Sequence, residues 1–379
     1  MTVYEPREDS FLLERNVKKY ILEGMLVLDM GTGSGIQAYA AAQQGATVLA
    51  VDVDPQVLEY HKKSELQVKL SHLFDNVEGT FDAIIFNPPY LPFDPDEPCE
   101  SRLQTTGGKH GYELTLKFIE QMGDHLETHG FVLLLISSVT GKERVEAELE
   151  KHLYSFKIVD QEKIPFETLY VYKIEKNALR RELESRGVWH IQPFMHGKRG
   201  NIHVGTFKNT NVAIKSQRAT TSNTIVMEAK LLKELKLKYA PRVLFIGSDY
   251  FVYDFIEGEF FPKWLEHASR REVLDALHQI YEYMYDLDRK GYNKEEMHHP
   301  TKHIIMTANN KPYLVDFERC RRSDKVHNVT QFTQYVIAIA PELEKKGISV
   351  NVDAMRKRAQ EYAHKRTRKH FKQIVGGLQ

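Results

Sequence analysis

The rhythm of apolar and polar positions changes partway along this 379-residue chain. In its first half, short unbroken apolar runs alternate with stretches whose apolar positions recur every three or four residues. The runs 25–31 (MLVLDMG), 46–52 (ATVLAVD), 81–87 (FDAIIFN) and 130–136 (GFVLLLI) predict buried strands. Residues 36–44, 55–66 and 112–126 between them predict helices. Alternation of this kind builds crossover units and a parallel sheet. Segments 156–164 and 169–174 predict a closing pair of strands. The expected class is α/β, a Rossmann-like doubly wound sheet.

A charged helical stretch, 175–185, then predicts a boundary. After Gly187 the pattern becomes one of short strands, VWHIQPF, NIHVGTF and TNVAIKS, followed by an amphipathic helix over 224–235. Two more strand-like segments, RVLFIGS and YFVYDFIEG, lead into long helical patterns. The expected domains are 1–175 and 186–379, the second of α+β type.

Charge adds little to this picture. Lys plus Arg number 52 and Asp plus Glu number 52, so no global field draws the protein to nucleic acid or membrane. The cysteines, Cys99 and Cys320, have no metal or disulfide spacing. The longest apolar run, FVLLLI, is far too short to cross a bilayer. The start is charged and lacks an apolar signal-peptide core. A cytoplasmic location and no membrane partner are expected.

Three motifs carry chemistry. VLDMGTGSG places Gly31, Gly33 and Gly35 where a strand opens into a helix, allowing a tight turn and close ligand approach. AVDVDP ends the next strand. Asp52 lies where an acid can bond ribose hydroxyls, while Asp54, before Pro55, suits a helix cap. FDAIIFNPPYLP then puts Asn87, Pro88, Pro89 and Tyr90 directly after a buried strand. Two prolines fix the backbone in an extended form and remove two donors. The Asn87 side chain and the Pro88 carbonyl can then accept from one NH2 group, with Tyr90 as a stacking face. A planar nitrogen held in this way is aimed at an electrophile, and no strong base is needed.

In this order the motifs resemble those of the HemK-like NPPY methyltransferases. The opening YEPREDSFLL (4–13) resembles that family's N-terminal motif, and GGKHGYE (107–113) the segment after NPPY in its archaeal and eukaryotic branch. The resemblance implies S-adenosylmethionine as cofactor and the glutamine amide of a translation release factor as substrate. It implies catalytic roles for Asn87, Pro88 and Tyr90. It implies cofactor contacts from Asp29, Gly31, Gly33, Gly35, Asp52, His72 and Leu73. His72 stands where the family usually has an acid near the adenine, and Asp75 is the other candidate. A small zinc-bearing activator subunit is implied by the related branch. The alternative substrate is an adenine in RNA or DNA, which NPPY enzymes also methylate. The weak positive charge of 91–110 favours a protein.

In the second half, HGKRGNIHVG, VAIK, a helix bearing Glu228, YDFIEGE and YLVDFERC follow one another as in Rio-type and lipopolysaccharide-kinase-like folds. The resemblance implies a two-lobed protein-kinase-like domain holding Mg-ATP. Gly197 and Gly200 would cover the phosphates, Lys215 and Glu228 would pair, and Asp316 would bind Mg²⁺. The loop EEMHHPTKHIIM departs from the pattern. Alignment on HIIM puts His298 at the catalytic Asp and His303 at the metal-binding Asn, with Glu295 or Glu296 able to move in. An active atypical kinase and an inactive ATP-binding module both fit. Residues 353–372 predict a basic helix, either solvated or in contact with RNA or the ribosome.

Overall fold

The computed structural model describes residues 3–196, 200–217 and 224–378. The chain forms two compact units, Met1–Pro193 with Gly205–Thr210, and Phe194–Val204 with Asn211–Gln379.

The first unit holds a seven-stranded sheet of order β3-β2-β1-β4-β7-β9-β8. Its strands are β1 (Leu26–Met30), β2 (Thr47–Asp52), β3 (Val68–Leu70), β4 (Phe81–Phe86), β7 (Leu126–Ser137), β8 (Tyr154–Ile164) and β9 (Glu167–Lys176). A short separate ladder joins β5 (Leu91–Pro92) to β6 (Thr106–Gly108). Strands β3, β2, β1, β4 and β7 are parallel, and β9 and β8 close the sheet antiparallel. Successive side chains of β4 enter different cores. Ile84 and Phe86 pack with Leu28, Met30 and Val132, while Ala83 and Ile85 pack with Val27, Leu133 and Leu135. Both faces are covered, which is why these strands read as continuous apolar runs.

The predicted strands and the helix Ile36–Gln43 are present. Two helices are shorter than expected. The one begun at Pro55 stops at His61, where the Ser64 hydroxyl bonds the His61 carbonyl and accepts from Leu66 N. Such side-chain bonds compete with a further helical turn. The other ends at Gln121, and its chain then turns at Gly123, where a Cβ would meet the Arg180 guanidinium at 2.0 Å. A helix over Glu8–Tyr20 and the edge strand β3 were not expected.

The second part of the chain opens with a five-stranded sheet of order β10-β11-β12-β14-β13. It is formed by β10 (Val188–His196), β11 (Gly200–Phe207), β12 (Thr210–Gln217), β13 (Val243–Ile246) and β14 (Tyr250–Asp254). Helix Thr224–Leu235 joins β12 to β13. Short strands β15 (Glu259–Phe260), β17 (Ile304–Met306) and β18 (Pro312–Leu314) form a three-stranded sheet, and β16 (Tyr292–Lys294) pairs with β19 (Cys320–Arg322). The remainder is helical. The longest helix, Arg270–Lys290, starts on a capping box between Ser269 and Glu272 and stops at Gly291, φ 74°. Strands first and helices last make this the expected α+β class. The basic segment is not one helix but two, Val352–Lys365 and Arg368–Val375, divided at Arg366, φ 23°. Among the described residues no helix is long and apolar enough to cross a membrane.

Candidate functional site

Strand order in the first unit reverses between β1 and β4, and a crevice opens there beyond the carboxyl ends of the parallel strands. A cavity of about 880 Å³ lies at that place, lined by Gly31, Gly33, Asp52, His72, Leu73, Asn87, Pro88 and Tyr90, among others. These eight expected residues therefore converge from four separate loops.

The glycine loop turns through φ 64° at Gly31, 51° at Gly33 and 81° at Gly35. A Cβ on Gly33 would meet nothing nearer than the Gly31 carbonyl at 4.0 Å, whereas one on Gly35 would strike His61 at 2.8 Å and Tyr39 at 2.9 Å. Gly33 thus leaves room for a ligand, and Gly35 serves the turn. Asp29 does not line the cavity. It is buried beneath the loop and accepts from the Thr32 hydroxyl at 2.7 Å. Burial pushes its pKa up to about 7, against the opposing effect of the Thr32 bond. Asp52 accepts from Gly33 N and Asp54 N, each at 2.9 Å. Two bonds leave a carboxylate with lone pairs free for a diol. Asp54 caps the following helix through Gln56 N, as expected. His72 is exposed, with Asp75 at 3.7 Å, and Leu73 has a left-handed backbone, φ 47°.

Asn87 follows β4 and is the most informative side chain. Its amide nitrogen donates to Asp9 Oδ2 at 2.9 Å, while its Oδ1 is buried without a partner. Asp9 lies in the unexpected helix Glu8–Tyr20 and is 5% exposed. It also accepts from the Tyr4 hydroxyl at 3.2 Å and from Ser10 N at 2.7 Å. A carboxylate accepts only, so it fixes which way the Asn87 amide points. The NPPY loop is gripped from the other side as well. A Cβ on Gly107 would lie 2.4 Å from the Pro89 carbonyl, and one on Gly111 2.4 Å from that of Tyr90. Only glycine permits this approach. Asp9, Gly107 and Gly111 all stand in segments that the motif resemblance marked, but only the structure gives them these tasks.

Comparisons with known proteins place the first unit in a family. The family model "Methyltransferase small domain" matches residues 9–167. A Methanocaldococcus jannaschii protein described as "Putative protein N5-glutamine methyltransferase" is 37% identical over 178 residues, 45% of this chain and 89% of that one. The chain belongs to the N5-glutamine methyltransferase family. It is an S-adenosylmethionine-dependent N-methyltransferase. "Methyltransferase HEMK2" of Mus musculus is 30% identical, over 39% of this chain and 76% of its own length. The solved E. cuniculi Mtq2–Trm112 complex, described as responsible for methylation of the eRF1 translation termination factor, is 31% identical. It covers 47% of this chain and 100% of its own, with a TM-score of 0.40. The space above Gly33, the spare lone pairs of Asp52 and the cavity volume fit a nucleoside-bearing methyl donor.

The second unit has its own cleft, a cavity of about 500 Å³. Lys215 lies on β12 and Glu228 on the following helix, and the two are 2.7 Å apart. Lys215 also reaches Asp316 at 3.1 Å. The Glu228 carboxylate further accepts from Phe317 N at 2.8 Å. Burial would lower the Lys215 pKa, but Glu228 and Asp316 outweigh it and raise it. Burial would raise that of Asp316, but Lys215 and Lys294 hold it at about 2. Gly200 lines the cleft and has no room for a Cβ, which would lie 2.8 Å from the Ser216 carbonyl. Gly197 lies outside the described residues. His298, which alignment puts at the catalytic base, is exposed and not among the lining residues, whereas the alternatives Glu295 and Glu296 are.

Proposed function

We propose that the first unit methylates the side-chain amide of a glutamine in a translation release factor. The observation that carries this reading is the buried, unpartnered Oδ1 of Asn87, beside an amide nitrogen already engaged by Asp9. A buried acceptor without a donor is costly. A substrate NH2 supplies that donor. Asn87 Oδ1 takes one amide hydrogen and the Pro88 carbonyl the other, and Tyr90 stacks on the planar group. Held by both hydrogens, the nitrogen points its lone pair along one direction. S-adenosylmethionine, when bound, presents an electrophilic methyl group on a sulfonium. The chain's own contribution is positioning, and it needs no strong base. The glutamine name of the archaeal relative and the motifs at 4–13 and 107–113 support an amide over an adenine. Incubation of a release factor and total RNA with labelled methyl donor, followed by mass spectrometry, tests the choice. Label in a Gly-Gly-Gln peptide supports it, and label in adenine overturns it. In the family resemblance a small zinc-bearing activator accompanies the enzyme, and the assay is run with and without one.

For the second unit we infer an atypical kinase-like module, residues 186–379, that binds Mg-ATP. Support comes from the joined Lys215, Glu228 and Asp316, the arrangement that phosphates and a divalent ion require. Stabilisation of the protein by Mg-ATP, lost in Lys215→Ala, tests it. The exposed Arg356, Lys357, Lys365 and Lys369 on the two basic helices form the proposed RNA or ribosome contact. Filter binding across a salt series checks that contact.

A further inference from the structure

We infer that Glu296 is the proton acceptor for phosphoryl transfer to a hydroxyl group in the second cleft. The inference rests on the reading of that cleft as a nucleotide site. Three observations converge on Glu296.

The first is its place. Glu296 lines the same cavity as Lys215 and Asp316. It is tied to the segment around Asp316 along two routes. Two residues before it, the buried Lys294 ammonium donates to the carbonyls of Val315 at 2.9 Å and of Asp316 at 2.5 Å. On its other side, His303 Nε2 lies 3.4 Å from the Glu296 carboxylate, and the His303 carbonyl accepts from Val315 N at 3.0 Å. The carboxylate is therefore held in a fixed relation to the residue that would carry the metal.

The second is backbone strain. Glu296 has φ 71° and Asp316 has φ 59°. Neither is glycine, and each pays for a left-handed conformation that side chains rarely adopt. Such strain persists where the surroundings impose it, and it gathers at reactive sites. Both strained residues face one cavity.

The third is elimination within the loop. Glu295 bonds Arg321, which is largely exposed and does not line the cavity. Glu296 bonds Arg319, which does line it. Arg319 occupies one carboxylate oxygen, Oε1, and leaves Oε2 beside His303. His298 points to solvent.

The chemistry balances without a further reactant. The acceptor oxygen bonds to the γ-phosphorus as the bond from that phosphorus to the β–γ bridging oxygen breaks. The bridging oxygen keeps the electron pair and leaves on the nucleoside diphosphate. The hydroxyl proton passes to Glu296 and from there to solvent. Lys215 offsets the phosphate charge throughout.

The test uses the full chain with Mg-ATP, water serving as the acceptor and released inorganic phosphate as the signal. Nucleotide binding is followed in parallel by thermal shift. Glu296→Gln should bind Mg-ATP like the wild type and lose turnover by a factor on the order of 10² to 10⁴, the usual worth of a general base. Glu296→Gly should melt no lower than the wild type, since glycine accepts φ 71° without strain, and should be equally inactive. His298→Ala should turn over normally. A wild type that binds Mg-ATP without releasing phosphate overturns the inference, as does turnover retained in either Glu296 variant. A wild type that fails to bind Mg-ATP refutes the nucleotide reading instead.

Discussion

In the first unit the side chain nearest the proposed chemistry, Asn87, is neutral and keeps one acceptor without a partner. In the second, Lys215 is already bonded to two carboxylates. The difference follows from what each cleft has to hold. A methyl group carried as a cation needs a nucleophile brought into line, and neutral dipoles can do that. The buried charge beside Asn87, the Asp9 carboxylate, serves to hold the Asn87 amide in place. A triphosphate brings several negative charges into a confined space. Its cleft must be charged in advance, and internal pairing keeps those charges tolerable while no ligand is present. Unpaired polarity at Asn87 and paired charge at Lys215, Glu228 and Asp316 therefore mark two kinds of substrate.

The sharpest way to break the comparison is at Asn87. Asn87→Ala should lower methyl transfer by a factor on the order of 10² to 10³, the loss seen when one preorganised polar group is removed from a reacting centre. Cofactor affinity should stay nearly intact, as calorimetry beside a methylation assay would show. Retained turnover would end the positioning mechanism. Next is Asp9→Ala, which frees the Asn87 amide to turn. A bond to a charged group is worth about 1.5–3 kcal/mol, so turnover should fall roughly ten- to 150-fold with cofactor binding preserved. An equal loss of cofactor binding would make Asp9 a cofactor residue instead.

A crossed pair sharpens the separation of the clefts. Asp52→Ala should weaken S-adenosylmethionine binding by about 1–3 kcal/mol through unpaired ribose hydroxyls, and leave the Mg-ATP thermal shift unchanged. Lys215→Ala should abolish that thermal shift and leave methyl transfer unchanged. If either variant affects the other ligand, the two clefts are coupled.

The smallest expected effect concerns Asp29. Its folded pKa, about 7, lies above the unfolded value of about 3.9. The folded state therefore holds the proton more tightly, and stability falls as pH rises from about 4 to about 7. Asp29→Asn keeps an acceptor for Thr32 but cannot ionise. It should raise the melting temperature at pH 8 and change it little at about pH 4, below which neither state ionises. Equal shifts at both pH values would mean that Asp29 titrates normally.

Much of the first site could be read along the chain because its parts stand at the ends of strands. Asn87-Pro88-Pro89-Tyr90 follows β4 directly, and a loop leaving a buried parallel strand at the switch point has little choice of destination. Asp54 and Asp52 could be told apart because Pro55 marks the helix start. Asp29 could not be placed in this way. It belongs to the same strand-end string as Gly31, yet the pleat turns it beneath the loop rather than into the cavity. In the second unit, order and spacing found Lys215, Glu228 and Asp316 across 101 residues. Alignment from HIIM lands on His298, which is exposed, while the carboxylates of Glu295 and Glu296, the alternatives, belong to residues that line the cleft.

The sequence by itself determined the doubly wound sheet, the α+β class of the second half and the residue types of the NPPY cleft. Periodicity, glycine turns and paired prolines act over a few residues, and the chain carries them wherever it folds. Only the tertiary structure decided that Asp9 would orient Asn87 from 78 residues away, that Gly107 and Gly111 would press on the NPPY carbonyls, and that Glu296 and Asp316 would line one cleft. Each of these depends on a distance between separate segments. No local pattern encodes such a distance, because packing sets it only once the whole unit has closed.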